Sequence, residues 1–270
     1  MSDLLFTVEN HIARITMNRP NQMNAFSTEM MDLWIKALET VRDSDDIRVV
    51  VLTGNGKAFC AGGDIKAMSQ GELLYKNNPD EDLSSTALAR KNSLWKRIQR
   101  IPQLMRELDQ PVIAAINGAA IGAGLDMALA CDIRIAAQSA KLGEGYVNVG
   151  IVPGDGGAYL LPRVVGVDKA LEMLWLGDAM TADEAKNIGL VTHVVPDDEF
   201  SAFVENYVQR LAKGPQTAMR FMKRAVYQGL YTDFRTHLDY ISSAMGIVTE
   251  LEDYKEGVRA ILERRKPKFQ

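Results

Sequence analysis

The chain has 270 residues, enough for one large domain or a domain with a substantial appendage, and 47% of them are hydrophobic against 24% charged. A formal net charge of -4 supplies no field to gather phosphates, so no nucleic-acid partner is expected, although the tail "ERRKPKFQ" is locally basic. Two cysteines, Cys60 and Cys131, and three scattered histidines make neither a disulfide framework nor a metal-ligand spacing, and no apolar run is long enough to span a bilayer. The opening "MSDLLFTVEN" lacks the basic and apolar regions of a signal peptide. The expectation is a cytoplasmic protein with no metal and no membrane partner.

In chain order, "LLFTVENHIARITMNRP" alternates apolar and polar residues about "ENH" and predicts a hairpin. "FSTEMMDLWIKALETVRDSDD" carries Met30, Leu33, Trp34, Ala37, Leu38 and Val41 at helical spacing, with Ser27 or Thr28 as cap. "IRVVVLTG" reads as a buried strand that runs on into "AFCAGGDIKAM". Residues 70–92 are polar and broken by Asn-Asn-Pro, which predicts a mobile loop leading into a helix "SLWKRIQRIPQLMREL" with a kink at Pro102. "PVIAAING" is a second buried strand, "GAGLDMALACD" a helix and "IRIAA" a third strand. Continuous apolar strands separated by helices predict an α/β core with parallel pairings. After about residue 165 the pattern turns helical: "DKALEMLWLG", "TADEAKNIG", then longer helices over 197–213, 216–229 and 231–264, with the strand "VTHVV" between. The predicted organisation is a catalytic core over 1–196 and a helical assembly or lid region over 197–270.

Two of the strands lead into small-residue turns, "AGGD" at 61–64 and "NGAAIGAG" at 117–124. Parallel neighbours end on the same side, and α/β proteins bind ligands outside those carboxyl ends. The first N–H groups of the helix that follows have no intrahelical acceptor and sit at the positive end of its dipole. One amide from each turn would form an oxyanion hole. Tight packing of helix on strand explains glycines of this kind equally well.

Taken together, "AFCAGGDIKAM" followed by "PVIAAINGAAIGAGLDMALACDIRIAA" resembles the crotonase (enoyl-CoA hydratase/isomerase) superfamily in both motifs and in their order. The resemblance runs from "ITMNRPNQMNAF" to "EDYKEGVRAILERRKPKF". It implies a ββα spiral core with a helical C-terminal trimerisation region, assembled as a homotrimer or hexamer. It also implies an acyl-CoA thioester substrate, with coenzyme A arriving as part of that substrate and no other cofactor. The oxyanion donors fall at Gly63 and Ala123, and contacts to CoA at Met23, Ala61, Asp64, Ile65 and Lys66. Arg265 and Lys268 in the tail would meet CoA phosphates, or form no more than a solvated helix end.

The same resemblance places acid–base chemistry on carboxylates. Asp126 lies three residues after Ala123, on the same helix face, and aligns with the first catalytic glutamate of hydratases. At the position of the second hydratase glutamate the chain has Tyr146, either a packing residue or a hydrogen-bond donor in the substrate site. Glu144 would share a face with Tyr146 if the segment is extended. Asp155, in "PGDGG", lies near an extra catalytic aspartate of some relatives, or else caps the next helix. Asp126, Glu144 and Asp155 are thus the catalytic candidates. The missing glutamate leaves open double-bond migration, hydration of an unusual enoyl-CoA, thioester hydrolysis and carbon–carbon cleavage. The long polar loop hints at a bulky acyl group. A non-catalytic homologue that binds CoA esters or a partner is the alternative of another class, and retention of both turns and Asp126 argues against it.

Overall fold

The computed structural model describes residues 2–69 and 87–270, so most of the expected polar loop lies outside the described residues. Strands β1 (Leu4–Glu9) and β2 (Ile12–Met17) form the hairpin, turning through Asn10 and His11 at φ 51° and 66°. Two positive φ values are what a tight turn matched to the strand twist requires. Helix α1 (Thr28–Arg42) starts where Ser27 Oγ accepts the Met30 N–H, and it buries Met30, Met31, Trp34, Ala37, Leu38 and Val41.

A β-β-α unit then repeats. β3 (Val49–Gly54) and β4 (Ala58–Cys60) precede α2 (Ile65–Ser69), α3 (Ala87–Ser93) and α4 (Arg100–Glu107). β5 (Val112–Ile116) and β6 (Ala119–Ile121) precede α5 (Ala123–Ala130). β7 (Ile133–Ala137) and β8 (Lys141–Gly143) precede α6 (Gly157–Val165) and α7 (Val167–Leu176), with β9 (Ala179–Thr181), α8 (Ala182–Asn187) and β10 (His193–Val195) closing the core. The first strand of each unit enters a six-stranded sheet ordered β1-β2-β3-β5-β7-β10, and the second enters a four-stranded sheet ordered β4-β6-β8-β9. The pairs β1–β2 and β8–β9 are antiparallel and the others parallel.

The continuous apolar strands are explained by burial on both faces. Val50, Leu52, Ala114, Ile116 and Ala136 face the main core. Their neighbours Val49, Val51, Ile113, Ala115 and Ile135 face a second cluster, closed by Val204, Val208 and Ala212 of α9 (Phe200–Ala212). The first helix of the C-terminal segment is therefore part of the sheet's cover.

Two helical expectations change. Irregularity falls before Pro102: the chain between α3 and α4 widens into one π-type turn, Leu94–Ile98, with Gln99 N donating to Leu94 O. Pro102 itself sits in the first turn of α4, where a missing N–H costs little. The span 231–264 is two helices rather than one. After α10 (Gln216–Gly229), α11 (Phe234–Thr249) ends and α12 (Glu252–Leu262) begins across an extended Leu251. Polar contacts tie α10 to the core, with Lys223 Nζ 2.7 Å from Asp132 Oδ2 and Tyr227 donating to Asp132 Oδ1 at 2.6 Å. Among the described residues, no helix is long and apolar enough to cross a membrane.

The stretch "NGAAIGAG", read as a turn, contains β6, and its pairing with β4 is what brings the two small-residue turns together. That contact leaves no room for side chains. A Cβ on Gly124 would lie 2.1 Å from Cys60 O, and one on Gly62, at φ +82°, 2.8 Å from Ile121 O. We expect Gly124→Ala to cost about 2–3 kcal/mol, the penalty of overpacking a rigid core. Gly150→Ala, at φ +69° with open space around it, should cost only about 1 kcal/mol. Urea denaturation of both variants checks the contrast, and equal costs would show that the close approach at Gly124 is not a constraint.

Candidate active site

The 61–64 turn is held from two sides. Ala61 N donates to Met23 O at 3.0 Å and Phe26 N to Gly62 O at 2.8 Å, so the segment after β2 lies along the turn. Arg19 reaches Asp64 Oδ2 at 3.3 Å, Asp3 Oδ2 at 3.5 Å and the Ala25 carbonyl at 2.6 Å. Asp64 thereby anchors the turn to the chain preceding α1. On the other side, Gly122 caps α5 at φ 54° and donates its N–H to Gly143 O of β8 at 2.8 Å. The turns touch where Gly62 faces Ala123: a Cβ on Gly62 would stand 3.1 Å from Ala123 N. Gly63 and Ala123 then line one cavity of about 410 Å³ together with Ala61, Ile65, Tyr146 and Asp155. Ala123 is the first residue of α5, so its N–H has no acceptor one turn earlier and stands at the positive end of the helix.

Behind that wall lie the acids. Every residue of α5 is buried, and Asp126 is 0% exposed. The Tyr146 hydroxyl lies 2.6 Å from Asp126 Oδ2 and 3.0 Å from Asp155 Oδ2, bridging the two carboxyl groups. Asp155 does not cap α6: Gly156 occupies that position, and the aspartate turns to Tyr146 instead. The α6 N-terminus comes against Asp126 because residue 157 is glycine. A Cβ there would sit 2.1 Å from Asp126 Oδ1.

Glu144 differs from its expected placement. Its backbone, at φ -102° and ψ 58°, leads into a 3-10 turn over Gly145–Val149 instead of continuing a strand, so face alternation does not apply. Tyr146 reaches the cavity, whereas Glu144 is fully buried behind it with Asp126. Among the described residues, no hydrogen-bond donor serves either Glu144 oxygen, nor Oδ1 of Asp126 or Asp155 in well-formed geometry.

Burial dominates the electrostatics of all three acids. It raises Asp126 above the ordinary aspartate range, against the pull of the Tyr146 hydroxyl, the Gly157 amide, the Glu144 carboxyl and the Asp155 amide. Glu144 is raised much further, by burial first and then by the negative charges of Asp126 and Asp155, all of which favour its neutral form. Asp155 is pushed up to about 7 by burial and the Asp126 charge, with the Tyr146 hydrogen bond opposing. Burial and the surrounding carboxylates also raise the Tyr146 phenol, which keeps its proton.

Of the anticipated residues, Ala61, Gly63, Ile65, Ala123, Tyr146 and Asp155 meet at the cavity. Met23 and Asp64 belong to the loops that shape it. Lys66 is exposed on α2, where its backbone N–H donates to Asp64 Oδ1 at 3.2 Å and its carbonyl accepts from Ser69 Oγ at 2.7 Å. Arg265 is committed to Glu256 at 2.6 Å and to Glu263 at 2.5 Å, as a solvated helix end would be. Sequence reading passed over Arg19, whose signal was a charge next to the proline in "MNRPNQMNAF". It also passed over the apolar wall of Phe26, Met68, Leu94 and Ile98, which come from three helical or loop segments far apart in sequence.

The enoyl-CoA hydratase/isomerase family matches residues 7–270. A Bacillus subtilis protein assigned to the enoyl-CoA hydratase/isomerases, YngF, is 41% identical over 97% of this chain and 96% of its own length. Crotonyl-CoA hydratase of Syntrophomonas wolfei is 36% identical over 99% of this chain and 97% of its own. The crystal structure of an enoyl-CoA hydratase from Bacillus anthracis superposes with a TM-score of 0.88 at 33% identity, covering 99% of this chain and 98% of that one. With its two alternating sheets and the cavity where their turns meet, this chain belongs to the enoyl-CoA hydratase/isomerase family and has the crotonase fold.

Proposed function

We propose that the protein hydrates, or shifts the double bond of, an enoyl-CoA whose thioester oxygen rests on the amides of Gly63 and Ala123. The observation that carries this reading is the single Tyr146 hydroxyl bridging Asp126 and Asp155 on the wall of the cavity those amides share. A phenol has one proton to donate. Given to the closer Asp126, it leaves Asp155 satisfied only if Asp155 brings its own proton to the phenol oxygen. The resting site is then an Asp126 anion, favoured by the α6 N-terminus, and a neutral Asp155 at the cavity.

Hydration follows with the protons balanced. As water adds to the β-carbon, its proton passes to the Tyr146 oxygen while the Tyr146 proton passes to Asp126. Asp155 protonates the α-carbon of the enolate held by the two amides. The proton on Asp126 then returns through Tyr146 to Asp155, and the site is restored. Isomerisation instead starts from the ionised fraction of Asp155, whose carboxylate removes a proton at one carbon and, now the acid, returns it at another. Asp126 thus works through Tyr146, a refinement of the direct role its alignment suggested. Oxyanion donors of this type contribute about 100- to 1000-fold in rate and a positioned acid or base about 100- to 10000-fold.

The acyl chain would lie against Phe26, Leu94 and Ile98, and the nucleotide end of CoA along the loops bearing Met23, Ala61, Asp64, Ile65 and Lys66. CoA would be the sole cofactor chemistry, arriving with the substrate in the cytoplasm. The C-terminal helices would serve assembly into a homotrimer or dimer of trimers. Supporting this, α10–α12 leave Met222, Val226, Leu230, Phe234, Ile261 and Leu262 between 58% and 79% exposed, more apolar surface than a monomer ordinarily shows to water. Light scattering on the purified protein checks this, and a monomer at micromolar concentration would remove it.

Mass-spectrometric turnover of enoyl-CoA esters in heavy water tests the reaction: a product heavier by one water marks hydration, deuterium exchange without that gain marks isomerisation, and silence across chain lengths overturns the proposal. Asp155→Asn, Asp126→Asn and Tyr146→Phe should each lower kcat about 100-fold or more with little change in KM. For hydration, kcat/KM should fall as pH rises through about 7, because Asp155 must carry its proton. A limb falling in the acid direction instead would make Asp155 the base. The same titration bears on stability. A carboxyl raised from 3.8 to about 7 stabilises the fold fully below pH 4 and loses that contribution as pH rises to 7. Asp155→Asn should therefore gain stability relative to wild type between pH 5 and 8, by up to about 4 kcal/mol. Thermal melts across that range check the sign.

A further inference from the structure

We propose that Glu144 is a positioning residue of this site: a permanently neutral carboxylic acid whose O–H is donated to Oδ1 of Asp126. This rests on the acid–base reading above and assigns Glu144 a part in it that is neither acid nor base toward substrate. Three features of the geometry lead there. Glu144 is 0% exposed and is not part of the cavity wall, where Gly145 and Tyr146 stand in front of it. Among the described residues neither of its oxygens has a donor in well-formed geometry, and Oδ1 of Asp126, approached by the start of α6, has none either. The two side chains nonetheless lie within hydrogen-bonding reach of each other. Two ionised carboxylates facing one another in a dry site repel, whereas one proton between them converts the contact into a charge-assisted hydrogen bond.

The surroundings decide which partner holds that proton. The α6 N-terminus at Gly157 and the Tyr146 hydroxyl favour charge on Asp126. Among the described residues, the charged groups acting on Glu144 are the acids Asp126 and Asp155, and the nearby Tyr146 phenol and the Cys60 thiol, which senses Asp155, are kept neutral by burial. Asp126 is then an anion with a donor on each oxygen: Glu144 on Oδ1 and Tyr146 on Oδ2. Fixed in that way, it always presents the same oxygen to Tyr146, and the phenol proton has a defined direction. A buried glutamate without any donor is otherwise a costly choice for a packing residue.

The experiment compares Glu144→Gln, whose amide keeps an N–H donor in the same place, with Glu144→Leu, which has none. Glu144→Gln should keep kcat within about fivefold of wild type with an unchanged pH profile. Glu144→Leu should lose about 10- to 100-fold in kcat at nearly constant KM, the order of one charge-assisted hydrogen bond, and its pH limb should move. Equal losses in both, with circular dichroism showing both folded, would overturn the proposal by showing that ionisation of Glu144 is needed. Equal retention in both would overturn it by showing that no donor is needed. An infrared difference spectrum, wild type minus Glu144→Gln at pH 8, reads the protonation state without turnover. A neutral carboxyl band is expected, and a carboxylate band instead refutes the proposal. If the wild type turns over no enoyl-CoA yet shows the neutral band, the proposed reaction fails and the Glu144 assignment stands.

Discussion

One buried proton balance governs this protein. Three carboxyl groups and a phenol share a site from which water is largely excluded, and three charges cannot coexist there. Burial pushes every acid toward its neutral form, and the few donors present decide which one keeps a charge. Tyr146 and the start of α6 favour Asp126, and nothing comparable favours Glu144. Asp155, at the edge of the cluster and open to the cavity, is left near the midpoint of its titration at neutral pH. A group poised in this way both gives and takes protons at little cost, which acid–base chemistry beside an enolate requires.

The scaffold makes that cluster possible through what it omits. Glycine at 157 lets a helix end approach Asp126, glycine at 124 lets α5 pack on the carbonyl of Cys60, and glycine at 62 lets two turns meet. Each omission removes a side chain so that one stretch of backbone can approach another group closely. The parallel sheets supply the rigid frame, since strands apolar on both faces are held between the main core and α9. The backbone of Gly63 and Ala123 and the acids are consequently attached to neighbouring turns of the spiral, around one cavity.

Such a site opposes the stability of the chain that carries it. Neutral carboxyl groups in an apolar interior stabilise the fold in acid and contribute progressively less as neutrality is approached, so the cluster favours folding less at pH 7 than at pH 4. The large core over α1, α4 and the sheets offsets this, with Trp34, Phe26 and Phe59 among its fully buried side chains. The half-satisfied polar cluster has the character of strain retained for chemistry rather than for structure.

Much of this was legible in the sequence. The period-3.6 pattern gave α1 its buried face, and the doubly apolar runs at 49–52 and 112–116 declared parallel strands, because local periodicity follows from which faces are buried. The two small-residue turns pointed to the sheet edge where Gly63 and Ala123 now line one cavity, and the family resemblance pointed to Asp126. The three-residue strands β4, β6, β8 and β9 stayed hidden, being too short for any period to show. Tertiary structure alone decided the rest. Asp126, Tyr146 and Asp155 are separated by 20 and 9 residues, and no spacing rule joins them to one hydroxyl. Whether Glu144 faces substrate or lies behind it depended on a 3-10 turn whose dihedral angles are set by packing. Protonation was the least legible property of all, because a pKa belongs to an environment assembled in three dimensions, and the sequence names only the groups that enter it.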